Sequence, residues 1–177
     1  LLLAITGSFG SSYGVMDLFE WNPDTFRNLN NKWVFVPGKH VFNTDSLSNP
    51  YFIHTGKSWN NKVIGDSIMG DHGYATYEMD LILPDPDLTY GLDLGSVASS
   101  YALYVDGKLI KMVGNPYGSA DTYKPDFNTA IAHFKPMGRR VTVTVHVTNF
   151  DYSKGGIWHD VRISKATELE QHRLNEI

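Results

Sequence analysis

Alternation of apolar and polar residues dominates the chain, and this period-two pattern predicts β-strands. Its clearest example is the segment 141–148, Val-Thr-Val-Thr-Val-His-Val-Thr, in which every second residue is valine. We expect a strand here, with the valines packed on a core and the threonines facing solvent. The same alternation recurs over residues 75–81, 88–94 and 101–110. The chain therefore predicts several half-buried strands.

Turn-forming residues separate these strands. Asp106-Gly107 interrupts the segment 101–110 and is typical of a two-residue β-hairpin. Residues 84–87, Pro-Asp-Pro-Asp, end another strand because proline cannot donate to a strand ladder. Weaker strand patterns occur at residues 32–36, 51–54, 127–133 and 158–163. Roughly eight short strands without crossover helices predict an all-β protein in which antiparallel sheets pack face to face as a β-sandwich.

Helix-favouring sequence is confined to the two ends of this pattern. Residues 22–26 could form a single turn before the first strand, and residues 165–177 contain no helix breaker and many helix formers. The apolar residues Leu169 and Leu174 lie five positions apart and form only a thin stripe. We therefore expect a C-terminal connector helix that leaves the domain without contributing to its core.

The first residues differ from the rest, because an apolar stretch is followed by small residues over positions 1–12. This composition resembles the tail of a secretory signal peptide whose basic beginning is missing. The alternative is a short apolar strand, or an arm that packs on a neighbouring molecule. No run of ~18–20 apolar residues occurs, so this stretch is too short to span a membrane. The predicted organisation is an N-terminal arm (1–26), a sandwich (27–164) and the C-terminal helix (165–177).

Composition supports one folded domain and excludes several functions. The 177 residues are 42% hydrophobic and 19% charged, which is typical of an ordinary globular domain. The net charge is −4 and the lysines and arginines are scattered, so we expect no nucleic-acid partner. The absence of cysteine excludes disulfides, thiolate zinc sites and cysteine nucleophiles.

No pattern of catalytic residues is present. The sequence contains no Gly-x-Ser-x-Gly elbow, phosphate-binding loop or nucleotide fingerprint. Glu78 and Asp80 are two apart on a predicted strand and hence on one face, where we expect both carboxylates to face water. The seven histidines have no spacing typical of a transition-metal site. We therefore predict a domain that is not itself an enzyme and needs no cofactor.

Five segments in order resemble a known family: Leu-Asn-Asn-Lys-Trp-Val-Phe-Val-Pro-Gly-Lys at 29–39, Gly-Lys-Ser-Trp-Asn at 56–60, Gly-Tyr-Ala-Thr-Tyr at 73–77, Ser-Tyr-Ala-Leu-Tyr-Val-Asp-Gly-Lys at 100–108, and Val-Thr-Asn-Phe at 147–150 followed by Gly-Gly-Ile-Trp at 155–158. At these separations the chain resembles the extracellular sensor domain of bacterial seven-transmembrane receptors with diverse intracellular signalling modules. It is also similar to the amino-terminal sugar-binding domain of family 2 glycoside hydrolases. Both resemblances imply the same fold, a galactose-binding-like antiparallel jelly-roll β-sandwich.

The two resemblances imply different functions. The first implies an extracytoplasmic sensor, in the periplasm or at the cell surface, which is tethered to a membrane by flanking sequence and binds a carbohydrate-like or small polar ligand. The second implies a non-catalytic sugar-binding accessory module of a glycoside hydrolase. A protein-interaction or homodimerisation domain is a third hypothesis. Sugar-binding jelly rolls often carry a structural Ca²⁺, for which the acidic residues in predicted loops are Asp24, Asp45, Asp66 and Asp126.

Aromatic residues beside polar groups in predicted loops are the candidate ligand contacts, because sugar rings pack on aromatic faces and pair with amides. Trp59 and Asn60 follow a predicted strand and could form such a site; alternatively, Trp59 anchors a long loop on the sandwich. His72 lies in a polar loop, and Tyr74 begins the next strand. Trp33 is expected in the core, and Tyr77 and Tyr101 are expected to serve packing, which is also the alternative for Tyr74.

The Gly-Gly-Ile-Trp segment at 155–158 provides the remaining candidates, Trp158 and the adjacent His159. Trp158 could present a flat apolar face to a sugar ring. Alternatively, the two glycines permit a tight turn while Trp158 covers the core at a sheet edge. The predicted ligand-binding set is Trp59, Asn60, His72, Tyr74, Trp158 and His159.

Overall fold

The computed structural model describes residues 14–30, 32–126, 129 and 131–175. The elements in chain order are β1 (Val15–Asp17), β2 (Arg27–Asn28), β3 (Lys32–Pro37), β4 (Tyr51–His54), β5 (Val63–Ile64), β6 (Ser67–Ile68), β7 (Gly73–Ile82), β8 (Tyr90–Asp93), β9 (Val97–Ala98), β10 (Ser100–Val105), β11 (Lys108–Val113), β12 (Ala132–Phe134), β13 (Arg140–Asn149), β14 (Gly156–Ile157), β15 (Arg162–Lys165) and α1 (Ala166–Asn175). The protein is therefore an all-β sandwich with one C-terminal helix among the described residues, as the alternation predicts, and it has the jelly-roll fold that both sequence resemblances imply.

The larger sheet has the strand order β11-β10-β13-β7-β3-β4. Its two central strands, β7 and β13, are ten residues long and pair over their whole length, with Val145 opposite Tyr77. The hairpin predicted at Asp106-Gly107 joins β10 to β11. The short strand β1 adds to β7 in parallel, which the alternation does not predict. Part of the predicted N-terminal arm is thus built into the sheet, and residues 1–12 lie outside the described residues.

The smaller sheet has the order β12-β8-β15-β2, and all of its pairs are antiparallel. Its inward side chains share one buried core with those of the larger sheet, and Trp33, Tyr77 and Tyr101 are buried there as predicted. The predicted strand over 158–163 is confirmed only at its end, because β15 begins at Arg162. Within the predicted strand over 127–133, the structure shows β12, and residues 127, 128 and 130 lie outside the described part of the chain.

The outer face of the larger sheet corrects one expectation. Thr144, Thr148 and Glu78 are 4% exposed or less, and Asp80 is 9% exposed, although the alternation places them in water. Residues 38–46, here called the strap, cross this face and bond to Glu78 and Thr148, whereas the Asp80 carboxylate is engaged by Arg140 and Thr142. The hydroxyl of Thr76 donates to Lys39 O and accepts from Val41 N. A polar strand face is therefore buried by a distant segment of the chain.

Helix α1 corrects a second expectation. Leu169 is 2% exposed and lies against β8, where a Cβ added to Gly91 would come within 2.8 Å of its Cδ1. The helix therefore packs on the outer face of the smaller sheet instead of only leaving it, whereas Leu174 is 69% exposed. Among the described residues, no helix has the length and apolarity needed to cross a membrane.

Candidate ligand-binding cleft

Helix α1 covers only part of the smaller sheet, and the uncovered part carries a row of polar side chains. Arg162 on β15 stands opposite Asn28 on β2 and opposite Asp93 on β8. Residues paired in this way point to the same face of a sheet. The guanidinium of Arg162 donates to Asp93, with 2.8 Å between Nη2 and Oδ2. The row Asn28–Arg162–Asp93 therefore crosses three strands and forms the floor of a cleft.

Asp160 forms one wall of this cleft, in the loop before β15. Its two carboxylate oxygens accept hydrogen bonds from side-chain amides, Oδ1 from Asn30 at 3.0 Å and Oδ2 from Asn28 at 3.4 Å. These bonds hold the carboxamides of both asparagines beside the carboxylate. Donors and acceptors of hydrogen bonds are thus presented side by side.

His159 lies on the opposite wall, against the loop between β8 and β9. Gly95 has a φ of 59°, and a Cβ at this position would stand 2.5 Å from the Cβ of His159. Glycine is therefore required both for the left-handed backbone and for the close approach. The amide of Ser96 donates to His159 Nδ1 at 3.2 Å, which fixes the imidazole and leaves the proton on Nε2.

Two adjoining cavities occupy the cleft, with volumes of about 270 and 410 Å³. Both are lined by Asp93, Gly95, His159 and Arg162. The first also reaches Leu169, His172 and Arg173 of α1, and the second also reaches Asn28 and Asp160. These volumes lie near the lower end of the range typical of small-molecule sites.

An aromatic ring stands beside the polar floor. Phe26 is 38% exposed and packs edge-on against His172, with 4.7 Å between the ring centroids. The Arg162 guanidinium lies 5.8 Å from the centroid of the Phe26 ring. Nearby, burial raises the pKa of Tyr101 to about 12, and the carboxylates of Asp93 and Asp126 act in the same direction. The phenol beneath the cleft thus stays protonated.

The chemistry of the cleft suits a small molecule rich in hydroxyl groups. Carboxylates accept hydrogen bonds from hydroxyls, while amides and a guanidinium donate to them. The ring of Phe26 adds an apolar surface on which the C–H groups of a sugar could pack. Among the described residues, no three histidine or acidic side chains are placed to hold a metal ion, and Asp24, Asp45, Asp66 and Asp126 form no such group.

Of the six predicted ligand contacts, His159 lines the cleft. Trp59 is fully buried, and its indole lies so close to Gly155 that a Cβ there would stand 2.2 Å from the ring. Of its two interpretations, the structure shows the one in which Trp59 anchors its loop. Asn60 contributes to the same anchoring, because its amide donates to Ser153 O and accepts from Gly155 N.

The other three predicted contacts lie outside the cleft. His72 is exposed at the start of β7, and Tyr74 lies edge-on to His40 of the strap with 5.3 Å between centroids. Trp158 is partly buried beside Tyr152, and its indole N–H has no hydrogen-bond partner among the described residues. Ligand contact by these three residues stays a prediction.

The sequence did not single out Asn28, Asp93, Asp160 and Arg162. Asp160 directly follows His159, so the sequence predicts a ligand contact in this loop but not the contribution of its carboxylate. Asn28, Arg162 and Asp93 lie on three strands that are far apart in the sequence, and only the strand register aligns them. Only Asp93, at the end of the strand Tyr-Gly-Leu-Asp, offers a local signal, namely a charged residue in an otherwise non-polar strand.

Comparison with known proteins identifies the class of fold. No family model matches the chain, and no curated protein matches it significantly. Among solved structures, it is similar to a GH2 β-galacturonidase from Eisenbergiella tayi, with 15% identity over 80% of this chain and 24% of that one and a TM-score of 0.55. It is also similar to the β-glucuronidases from Ruminococcus gnavus (16% identity, 78% of this chain and 28% of that one, TM-score 0.56) and Bacteroides uniformis (20%, 78%, 17% and 0.58).

These similarities concern the fold. The chain spans less than a third of the length of each of these enzymes. It has the jelly-roll β-sandwich that occurs as one part of such GH2 glycosidases, as the second of the two sequence resemblances implies.

Proposed function

We propose that this domain is a non-catalytic carbohydrate-binding module that holds a sugar in the cleft over the smaller sheet. The observation that carries the proposal is the row Asn28–Arg162–Asp93, flanked by Asp160 and His159 inside a concave surface. Sugars are recognised by paired donors and acceptors near an apolar face, and the cleft combines these groups with the ring of Phe26.

The bonding of the two carboxylates supports a binding role over a catalytic one. Asp93 is engaged by the guanidinium of Arg162, and Asp160 is engaged by two amide groups. Both carboxylates are therefore held as acceptors. Hydrolysis of glycosides normally needs one carboxylic acid that donates a proton to the leaving group. We expect the isolated domain to bind sugars without cleaving them.

The fold comparison favours an accessory module over a receptor sensor, because the similar structures are parts of glycosidases. Receptor function, an extracytoplasmic location, membrane tethering and dimerisation rest on sequence resemblance and stay predictions. The two roles share the same ligand site, so one binding experiment addresses both.

The test is an NMR titration of the ¹⁵N-labelled domain with glucose, galactose, glucuronate and galacturonate. We expect chemical-shift changes at residues 93–96 and 158–162 with at least one sugar. His159→Ala keeps the Cβ that packs on Gly95 but removes the ring, so it should weaken binding by about three- to tenfold, as the loss of one hydrogen bond predicts.

The matched comparison is His72→Ala, which removes another exposed histidine that does not line the cleft. It should leave the affinity unchanged. A loss of binding in His72→Ala, shift changes confined to the loops around Trp59 and His72, or no response to any of the four sugars would each contradict the assignment of the cleft.

A further inference from the structure

The cleft continues beyond the smaller sheet. A third, more open cavity of about 840 Å³ is lined by Met16, Phe26, Arg27, Asn28, Asn30 and His54. It shares Asn28 with the middle cavity, and Asn30 bonds to the same Asp160 carboxylate that lines that cavity. His54, on the edge strand β4 of the larger sheet, is held by a contact of 2.9 Å between its Nδ1 and Asn30 O. The three cavities therefore lie next to one another, and together they are here called the groove.

The length of this groove exceeds one sugar ring. Its floor crosses three neighbouring strands, and strands are spaced ~4.8 Å apart, so the row Asn28–Arg162–Asp93 alone spans about 10 Å. The groove then extends past this row in both directions, to Arg173 on α1 at one end and, around the edge strand β2, to Arg27 and His54 at the other. A single ring would fill only the middle.

The charges along the groove are also uneven. The fixed charges that line it are Arg27, Arg162 and Arg173 against Asp93 and Asp160, a local positive excess on a chain of net charge −4. In the middle, Arg162 and Asp93 neutralise each other. Among the described residues, Arg27 and Arg173 form no ion pair, and both are exposed. The uncompensated cations thus lie at the two ends.

We propose that the groove binds a linear acidic oligosaccharide along its length. This inference rests on the proposed function, because the central row would hold one ring of the chain by hydrogen bonds. Arg27 and Arg173 would each contact a carboxylate on a ring to either side. Guanidinium groups suit this role because they bind carboxylates with two parallel hydrogen bonds.

The test measures affinity against chain length and charge by calorimetry on the intact 177-residue chain. The probes are galacturonate and its linear dimer and tetramer, with glucose, cellobiose and cellotetraose as neutral counterparts. The galacturonate tetramer should bind at least about tenfold more tightly than the monomer. Its affinity should fall as salt rises, because the end contacts are exposed ion pairs.

Two end variants locate the effect. Arg27→Gln and Arg173→Gln should each weaken tetramer binding about fivefold, in line with the modest strength of exposed ion pairs, and each should weaken monomer binding by a smaller factor. The matched control is Lys108→Gln, which removes an exposed cation on β11 and should change neither affinity.

The outcomes separate this inference from the proposed function. If the monomer binds as tightly as the tetramer, or if neutral and acidic chains bind equally, the chain-binding inference is wrong while sugar binding in the cleft stands. If Lys108→Gln weakens the tetramer as much as the end variants do, the acidic chain binds elsewhere and the inference is again wrong. If none of the sugars binds, both proposals fail.

Discussion

The two sheets differ in what covers their outer faces. Each carries polar side chains at the strand positions that point away from the core. On the larger sheet these are Thr76, Glu78, Thr144, His146 and Thr148, which are buried and bond within a layer formed by the strap and residues 116–117. On the smaller sheet the equivalent row stays open, because α1 rests only on the part around Gly91. The same sequence pattern therefore gives a face bonded to a covering segment in one sheet and an open cleft in the other.

Hydrogen bonding explains the difference. The Glu78 carboxylate accepts from the backbone amides of Asn43 and Thr44 and from the hydroxyls of Thr44 and Thr144, at 2.7 to 3.1 Å. Four donors satisfy a buried carboxylate within the chain, as burial demands. In the cleft, by contrast, Asp160 accepts from two side-chain amides among the described residues and stays exposed. On a covered polar face the hydrogen-bonding groups are satisfied within the chain, whereas on an uncovered face they remain available to a ligand.

The largest expected effect comes from breaking the fastening. Glu78→Ala leaves two backbone amides and two hydroxyls of a buried face without their acceptor. We expect it to lower the free energy of unfolding by about 3 kcal/mol. The variant loses hydrogen bonds to a charged group, and it also leaves buried donors without a partner. Urea denaturation followed by tryptophan fluorescence measures the change.

The control is Glu20→Ala, which removes an exposed carboxylate and should change stability by less than about 0.5 kcal/mol. Sugar binding at the cleft should survive Glu78→Ala below the unfolding transition, because the two faces are separate. Equal stability of Glu78→Ala and the parent chain would show that the strap is not fastened by this carboxylate.

A smaller effect should follow from loosening α1, which packs on the outer face of the smaller sheet around Gly91. Leu169→Ala removes the leucine that packs on Gly91 and should cost about 2 kcal/mol, at the low end for a buried leucine because the helix can shift to fill part of the space. It should also weaken sugar binding, since His172 and Arg173 reach the cleft from the same helix.

Leu174→Ala is the matched control for this change, because it is the same substitution in the same helix at a side chain that is 69% exposed. It should alter the unfolding free energy by less than about 0.5 kcal/mol and leave affinity unchanged. If both leucine variants behave alike, α1 does not depend on its contact with the sheet.

The outer faces of the two sheets also show how much of the structure can be predicted from the sequence. The alternation in β13 places its valines in the core, because period-two burial is a local property of a strand. It does not place the strap over Thr144 and His146, because that segment lies about a hundred residues earlier and its polar contacts leave no local signature. The local alternation therefore predicts an exposed Glu78, whereas contacts with the strap, which is distant in the sequence, bury it.

The candidate site follows the same rule. Trp59 beside two asparagines has the composition of a sugar site, but Gly155 lets the ring enter the core at a distance that any side chain would block. The cleft itself depends on the register of β2, β8 and β15, and register is not readable from one strand. The sequence predicts His159 because it directly follows the Gly-Gly-Ile-Trp motif. The other cleft residues come together only through the pairing of the three strands.

The smallest expected effect concerns the histidines of the strap contact. His146 donates from Nε2 to Val41 O and accepts from the Tyr117 hydroxyl at Nδ1, and its ring stacks on His40 with 4.9 Å between centroids. Burial lowers the pKa of both imidazoles. For His40, the neighbouring His146 acts in the same direction, whereas Glu78 opposes the shift at His146.

The direction of the pH effect follows from these lowered pKa values. Above ~6.5, the pKa of an unperturbed histidine, both imidazoles are neutral in the folded and the unfolded chain, and their titration does not change stability. As the pH falls below that value, the unfolded chain takes up protons that the folded chain resists, so stability is lost down to the folded-state pKa values and then levels off. The larger sheet should therefore loosen on mild acidification.

His40→Gln keeps an N–H that can donate to Val147 O but cannot be protonated. Between pH 7 and pH 5, urea midpoints should fall less steeply for His40→Gln than for the parent chain, whereas His72→Gln, at an exposed position, should keep the parent slope. A parent slope in His40→Gln would mean that the stacked pair does not carry the pH dependence. The strap would then be held through Glu78 and Thr76, whose contacts with its backbone persist without either imidazole.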